Sequence, residues 1–159
     1  MAKMPSFVGF VPTPPQHIDA FFELAPVSAA DVVFDLGSGD GRLLFAAIER
    51  GAGRAVGVEL DASRVGEAKE AIRARELEDR VTVLHADVVD VDLSEASVVL
   101  CYLVPKASAE LRPKFEAELR PGTRVVMESF PVPGWKPERT VERQYKTFYL
   151  YTMPPAAQE

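Results

Sequence analysis

The residues best suited to chemistry begin at a glycine-rich turn. Gly37-Ser38-Gly39-Asp40-Gly41 follows directly on the apolar run Val32-Val33-Phe34-Asp35-Leu36. Glycines at Gly37 and Gly39 let a ligand approach the backbone, and in open α/β sheets ligands sit beyond the C-terminal ends of the strands, where this turn would lie. The spacing alone serves several kinds of nucleotide binder, and plain tight turns as well. The acids around it narrow the choice.

Asp35 stands just before the turn. A carboxylate there repels a pyrophosphate but can accept hydrogen bonds from an ammonium group, which favours S-adenosylmethionine (SAM) over NAD. Glu59 closes the next apolar run, about twenty residues downstream of the turn, where an acid accepts from the vicinal hydroxyls of a ribose. NAD enzymes place an acid there too. Asp87 follows a third apolar run and could accept from an adenine amino group while Val88 supplies apolar packing. A lone Asp after a strand also serves as a turn or cap residue. Three acids at successive strand ends are the recurrent feature.

Other chemistries fit less well. Cys101 lies within an apolar run with no proline before it, so it reads as core rather than as the nucleophile of a cytosine-C5 methyltransferase. His17 and His85 have no cysteine or carboxylate at metal-ligand spacing and read as structural or rim residues. No metal is expected. Trp135 reads as a loop anchor, and the Glu/Arg alternation from Arg73 to Arg80 as a solvated helix end.

The elements that must hold these residues follow from periodicity. Val32–Leu36, Ala55–Glu59, Val81–Leu84, Ser97–Leu103 and Thr123–Met127 read as five strands. Between them, Leu43, Leu44, Ala47 and Ile48 recur at helical spacing, as do Val65, Ala68, Ala71 and Ile72 behind an Asp61 N-cap, and Leu111, Phe115 and Leu119 behind Pro105. Strand and helix alternation gives an α/β fold with a Rossmann-like, doubly wound, mostly parallel sheet. The tail differs, because Val141 and Thr147–Thr152 are strand-like with no crossover helix between them, and so predict a terminal antiparallel hairpin. Upstream, Thr13 suits an N-cap and Pro14 a first helical position for a helix carrying Ile18, Phe21, Phe22 and Ala25.

The chain of 159 residues is 47% hydrophobic and 26% charged, as in a globular protein of one domain, and no run reaches the length of a membrane span. One cysteine excludes an intrachain disulfide scaffold, and the N-terminus lacks the apolar stretch of a signal peptide, so a cytoplasmic location is expected. A net charge of −6 argues against broad electrostatic capture of nucleic acid.

Taken together, Val32–Arg42 (Val-Val-Phe-Asp-Leu-Gly-Ser-Gly-Asp-Gly-Arg) and Val56–Glu59 (Val-Gly-Val-Glu) resemble class I SAM-dependent methyltransferases, whose sheet has seven strands. More narrowly, Phe10-Val-Pro-Thr-Pro14, Leu111-Arg-Pro-Lys114, Glu118-Leu-Arg-Pro-Gly122 and Gly134-Trp-Lys-Pro137 are similar to the small archaeal-type protein lysine methyltransferases and their mitochondrial relatives. The resemblance runs from about Phe10 to Tyr151. It implies a SAM site built from Asp35, Gly37, Gly39, Glu59 and Asp87, with lysine ε-amino groups of proteins as acceptors. The family commonly has Tyr where this chain has Phe10, so a hydroxyl contact made there would be missing. Tyr102, at the end of the fourth strand, either lines the acceptor channel or is a partly buried aromatic at a sheet edge.

Two other functions compete: methylation of a small molecule, which would call for a substrate-covering insertion, and SAM binding without transfer. One further expectation concerns residues 1–14. Phe7, Val8, Phe10 and Val11 would be costly to leave in water, and Pro12, Pro14 and Pro15 restrict the segment beforehand. The segment is therefore expected to fold over the methionine end of SAM, with Thr13 near its carboxylate at a helix N-terminus.

Overall fold

The computed structural model describes residues 13–158. Four helices, α1 (Pro15–Leu24), α2 (Arg42–Glu49), α3 (Ala62–Ala74) and α4 (Pro105–Glu118), accompany nine strands. The strands are β1 (Val32–Leu36), β2 (Arg54–Glu59), β3 (Val81–His85), β4 (Val98–Cys101), β5 (Arg124–Glu128), β6 (Trp135–Lys136), β7 (Arg139–Arg143), β8 (Lys146–Thr152) and β9 (Ala156–Ala157). Seven of them form one sheet in the order β3-β2-β1-β4-β5-β8-β7. The strands β1 to β5 pair in parallel, whereas β8 is antiparallel to both β5 and β7. This is the doubly wound sheet with a terminal antiparallel hairpin that the alternation of elements predicts.

The central strands are apolar on both faces because both faces are covered. On one side Val33, Leu100, Val126 and Phe148 pack with Phe21 of α1, Leu44 of α2 and Ile72 of α3. On the other, Phe34, Val99 and Tyr151 pack with Leu111 and Phe115 of α4. Leu111 and Phe115 are fully buried, worth about 1.5–3 kcal/mol each in transfer terms. The predicted helix faces are thus the ones buried, and Asp61 caps α3 by accepting from the Ser63 and Arg64 amides at 2.9 and 3.1 Å.

At the start of α1 the expectation needs correction. Thr13 does not cap the helix: Pro14 is the N-cap, no side chain caps the end, and Pro15 is the first helical residue. Pro15 disfavours helical backbone in the residue before it, and Pro14 is extended at φ −71° and ψ 159°. The helix can therefore begin only one residue later. The rest of the predicted arm, from Phe7 to Pro12, lies outside the described residues.

The β6–β9 pair and the turn residues of the predicted hairpin have no counterpart in the sequence reading. A small antiparallel pair joins β6 to β9, and the β7–β8 hairpin turns on Gln144 and Tyr145, both with positive φ (47° and 66°), the backbone of a two-residue hairpin turn with matching twist. Trp135 is buried between Phe115 and Tyr151, with ring centroids 6.2 and 5.3 Å away, and Arg112 Nη1 donates to the Pro133 carbonyl at 2.9 Å. The two distant sequence pieces around Arg112 and Trp135 thereby form one packing unit, in keeping with Trp135 as a loop anchor.

Candidate functional site

The glycine turn lies between β1 and α2 and is fastened to the end of the neighbouring strand. The amides of Gly37 and Ser38 both donate to the Val58 carbonyl, at 2.8 and 3.1 Å. Gly37, Gly39 and Gly41 all have positive φ (90°, 56° and 87°), conformations that side chains rarely adopt. A second constraint comes from Gly57 in β2: a Cβ placed there would stand 2.4 Å from Ser38 Oγ and 2.8 Å from Leu44 Cδ1. Only glycine lets the turn settle this close onto β2.

Glu59 ends β2 and faces the turn. One carboxylate oxygen accepts from the Gly39 amide at 2.8 Å, and the other from the Asp61 amide at 2.9 Å. Each oxygen keeps a further lone pair for a ligand hydroxyl. Asp87 follows β3 and is 5% exposed; its Oδ1 accepts from the Val89 amide at 3.2 Å, while Oδ2 is buried with no hydrogen-bond partner among the described residues. The cap reading and the ligand reading therefore coexist in one carboxylate: one oxygen starts the 3-10 turn Val88–Asp90, and the other is an unused acceptor. Val88 is buried beside it.

Asp35 is buried in β1 at 4% exposure. Burial, and then the charges of Glu59, Glu128 and Asp40, push its carboxyl from the usual value near 3.8 up to about 8. Every one of those influences raises it. A buried acid among acids, with no cation among the groups that shift it, suits a ligand bringing positive charge. Ser38 Oγ, also buried and without a hydrogen-bond partner among the described residues, is a second such atom after Asp87 Oδ2. These acceptors thus fit SAM: acids for an ammonium, a ribose and an amino group, and a glycine backbone between them.

The described residues place the other candidates as follows. Thr13 is half-buried and reaches the turn through its carbonyl, which accepts from Arg42 Nη1 at 3.4 Å. Arg42 in turn pairs with Asp40 at 2.6 Å. Tyr102 is 37% exposed directly after β4, with its ring 6.1 Å from that of Phe130 and 5.2 Å from Lys146 Nζ. Cys101 is buried with its thiol pushed far up by burial and its Sγ 3.0 Å from Met127 Sδ, so it is packed and inert. His85 Nε2 meets the Leu60 carbonyl at 3.0 Å, and His17 Nε2 meets the Gln144 carbonyl at 3.2 Å. Among the described residues no group of three or more His, Cys, Asp or Glu could hold a metal ion.

Sequence reasoning missed Glu128. This acid ends β5 at 8% exposure, beside His17 Nδ1 at 3.8 Å and Lys146 Nζ at 3.6 Å. Its only signal in sequence is a charge at the end of the apolar run Val125-Val126-Met127.

The seven-stranded sheet, parallel from β1 to β5 with an antiparallel terminal hairpin, is the class I methyltransferase fold. Residues 35–139 match the ANTKMT methyltransferase domain, and the chain belongs to that family. It is 38% identical over 151 residues to a protein-lysine N-methyltransferase of Saccharolobus islandicus, covering 92% of this chain and 94% of the relative. It is 37% identical over 107 residues to the adenine nucleotide translocase lysine N-methyltransferase of Mus musculus, a match that covers 67% of this chain and 47% of the relative's length. A crystal structure described as an RNA methyltransferase from Salinibacter ruber, in complex with S-adenosyl-L-homocysteine, superposes with a TM-score of 0.87. That match has 40% identity over 94% of this chain and 97% of that one. The chain is an enzyme of the methyltransferase class.

Proposed function

We propose that this protein transfers methyl groups from SAM to ε-amino groups of protein lysines. The cofactor half is supported by the likeness to the structure solved with S-adenosyl-L-homocysteine and by the buried Asp35 at the glycine turn, with the acids Glu59, Glu128 and Asp40 acting on it. Asp35 would hold the methionine ammonium, Glu59 the ribose hydroxyls and Asp87 Oδ2 the adenine amino group, with Gly37 and Gly39 against the ligand and Val88 against the base. Thr13, tied to the turn through Arg42, would lie toward the methionine carboxylate. The acceptor half rests on the likeness to the archaeal protein-lysine N-methyltransferase over almost the full length of both chains.

Bound SAM supplies an already activated methyl group. Transfer would join the lysine nitrogen to the methyl carbon as the carbon–sulfur bond breaks with its electron pair returning to sulfur, the acceptor having lost its proton to solvent before the site closes. The protein's task is alignment and exclusion of water. A lysine with a pKa near 10.4 is mostly protonated at neutral pH and must shed that proton before transfer; no dedicated base is assigned. Tyr102, exposed at the rim, would border the channel.

RNA is the second reading, favoured by the description of the Salinibacter ruber structure. The net charge of −6 opposes it, because phosphate binding draws on lysine and arginine. Incubation of the protein with methyl-labelled SAM and a cell lysate, followed by protease or nuclease digestion, separates the two. Label released by protease supports lysine transfer, and label released by nuclease supports RNA.

A further inference from the structure

We infer that Glu128 is the acceptor-binding carboxylate of this enzyme and that the chain's own Lys146 occupies its place in the resting state. The inference rests on the lysine reading above and gives it a residue.

The sheet register puts the relevant groups on one face. Asp35 of β1 pairs with Leu100 of β4, and Leu100 with Val126 of β5. Side chains alternate along a strand, so Glu128, two residues past Val126, shares the face of Asp35. Glu128 pairs with Phe148 of β8, and Lys146 lies two residues before Phe148 on that same face. Tyr102 lies two residues beyond Leu100. The cofactor acid, a second buried acid, an aromatic ring and an ammonium group thus converge at the C-terminal edge of the sheet.

The arrangement around Lys146 is that of a recognised lysine. Its Nζ is 3.6 Å from Glu128 Oε2 and 5.2 Å from the Tyr102 ring centre, within the range at which a ring face attracts an ammonium. A carboxylate plus an aromatic ring is what an acceptor lysine arriving near the methyl group would need. The pair is also loose. At 3.6 Å the two charges are farther apart than a charge-assisted hydrogen bond, and the Lys146 side chain is 40% exposed while that of Glu128 is 10% exposed. The cation can leave toward solvent; the acid cannot.

The rest of the Glu128 pocket is fixed. His17 Nε2 donates to the Gln144 carbonyl, and its Nδ1 stays 3.8 Å from Glu128 Oε1, beyond hydrogen-bond range. The His17 ring packs on Phe148 at 5.6 Å between centroids, and Phe21 packs on the same Phe148 at 5.2 Å. Helix α1 thereby walls the acid on one side, and Lys146, with the Tyr102 ring near it, meets the other carboxylate oxygen. An incoming lysine would displace Lys146 and inherit its two contacts.

Removing the acid and removing the competing cation should have opposite effects. The test measures transfer from labelled SAM to total protein of a lysate at increasing lysate concentration, with SAM affinity measured by calorimetry. Glu128→Gln, assayed at a SAM concentration that saturates the variant, should raise the half-saturating lysate concentration by about tenfold or more, the loss of one hydrogen bond to a charged partner. Lys146→Met should lower it, and Glu128→Asp should recover part of the loss. Circular dichroism melts establish that each variant is folded. If Lys146→Met raises the requirement as Glu128→Gln does, or if both variants saturate like the wild type while lysines are still labelled, the inference is overturned and the lysine reading stands. A wild-type enzyme that labels no lysine overturns both.

Discussion

The Glu59 carboxylate accepts a hydrogen bond from the Gly39 amide at 2.8 Å, so the acid proposed to bind the ribose also holds the glycine turn in place. Substitution there should affect ligand and loop together. Glu59→Gln keeps the shape but removes the charge, and each hydrogen bond to an ionised partner is worth about 1.5–3 kcal/mol. SAM affinity is expected to fall at least tenfold, with a small loss in melting temperature. Calorimetry giving wild-type affinity would remove Glu59 from the site.

Gly57 tests the same loop from the strand behind it. A methyl group on this residue meets Ser38 Cβ at 2.7 Å as well as Ser38 Oγ, so rotating the hydroxyl away does not relieve the clash. Gly57→Ala should destabilise the protein by about 1–3 kcal/mol, the usual range for overpacking, and weaken SAM binding through the displaced turn. Urea unfolding and a SAM titration on the same preparation check both parts. Unchanged stability would mean that the turn yields freely.

The Asp35 carboxyl gives a pH signature. Its value rises from 3.8 to about 8 in the folded protein, through burial first and neighbouring acids second. It therefore stays protonated in the ligand-free fold while the unfolded chain ionises. The stability it contributes is full below pH about 3.8 and is lost as pH climbs through about 8. Asp35→Asn cannot ionise, so its melting temperature relative to wild type should rise across that window and level off above it. The same variant should bind SAM poorly. A melting difference that stays flat across the window would contradict the buried, cation-free setting of Asp35.

Residues 1–13 supply a further test. Thr13 reaches the glycine turn through Arg42 even though it caps no helix, which ties the start of the described chain to the site. A protein beginning at Pro14 is expected to keep cooperative unfolding of the sheet, yet bind SAM weakly and transfer little methyl group. Full activity after that truncation would make the segment dispensable.

Much of this site could be read from sequence because its residues lie next to strand ends that periodicity locates. Asp35 lies near the end of an apolar run, the glycine turn, Glu59 and Asp87 close or follow one, and their relative positions depend only on adjacent parallel strands. Glu128 was not legible for the opposite reason: its setting depends on β8 inserting beside β5, and on α1 carrying His17 across to it. Neither pairing leaves a local pattern. The β6–β9 pair has two residues per strand, too few to show alternation. At α1 the pattern was present but two prolines competed, and the conformational restriction by Pro15 on Pro14 outweighed the capping preference of Thr13.

The central claim is transfer from SAM to protein lysines at the strand-end acids. Mass spectrometry of lysate proteins incubated with isotopically labelled SAM, with the wild type and with Asp35→Asn, tests it directly. Labelled methyl groups on lysine ε-nitrogens of several proteins, absent with the variant, are the predicted result. Label confined to nucleic acid or small metabolites, or lysine label that persists with Asp35→Asn, would contradict it.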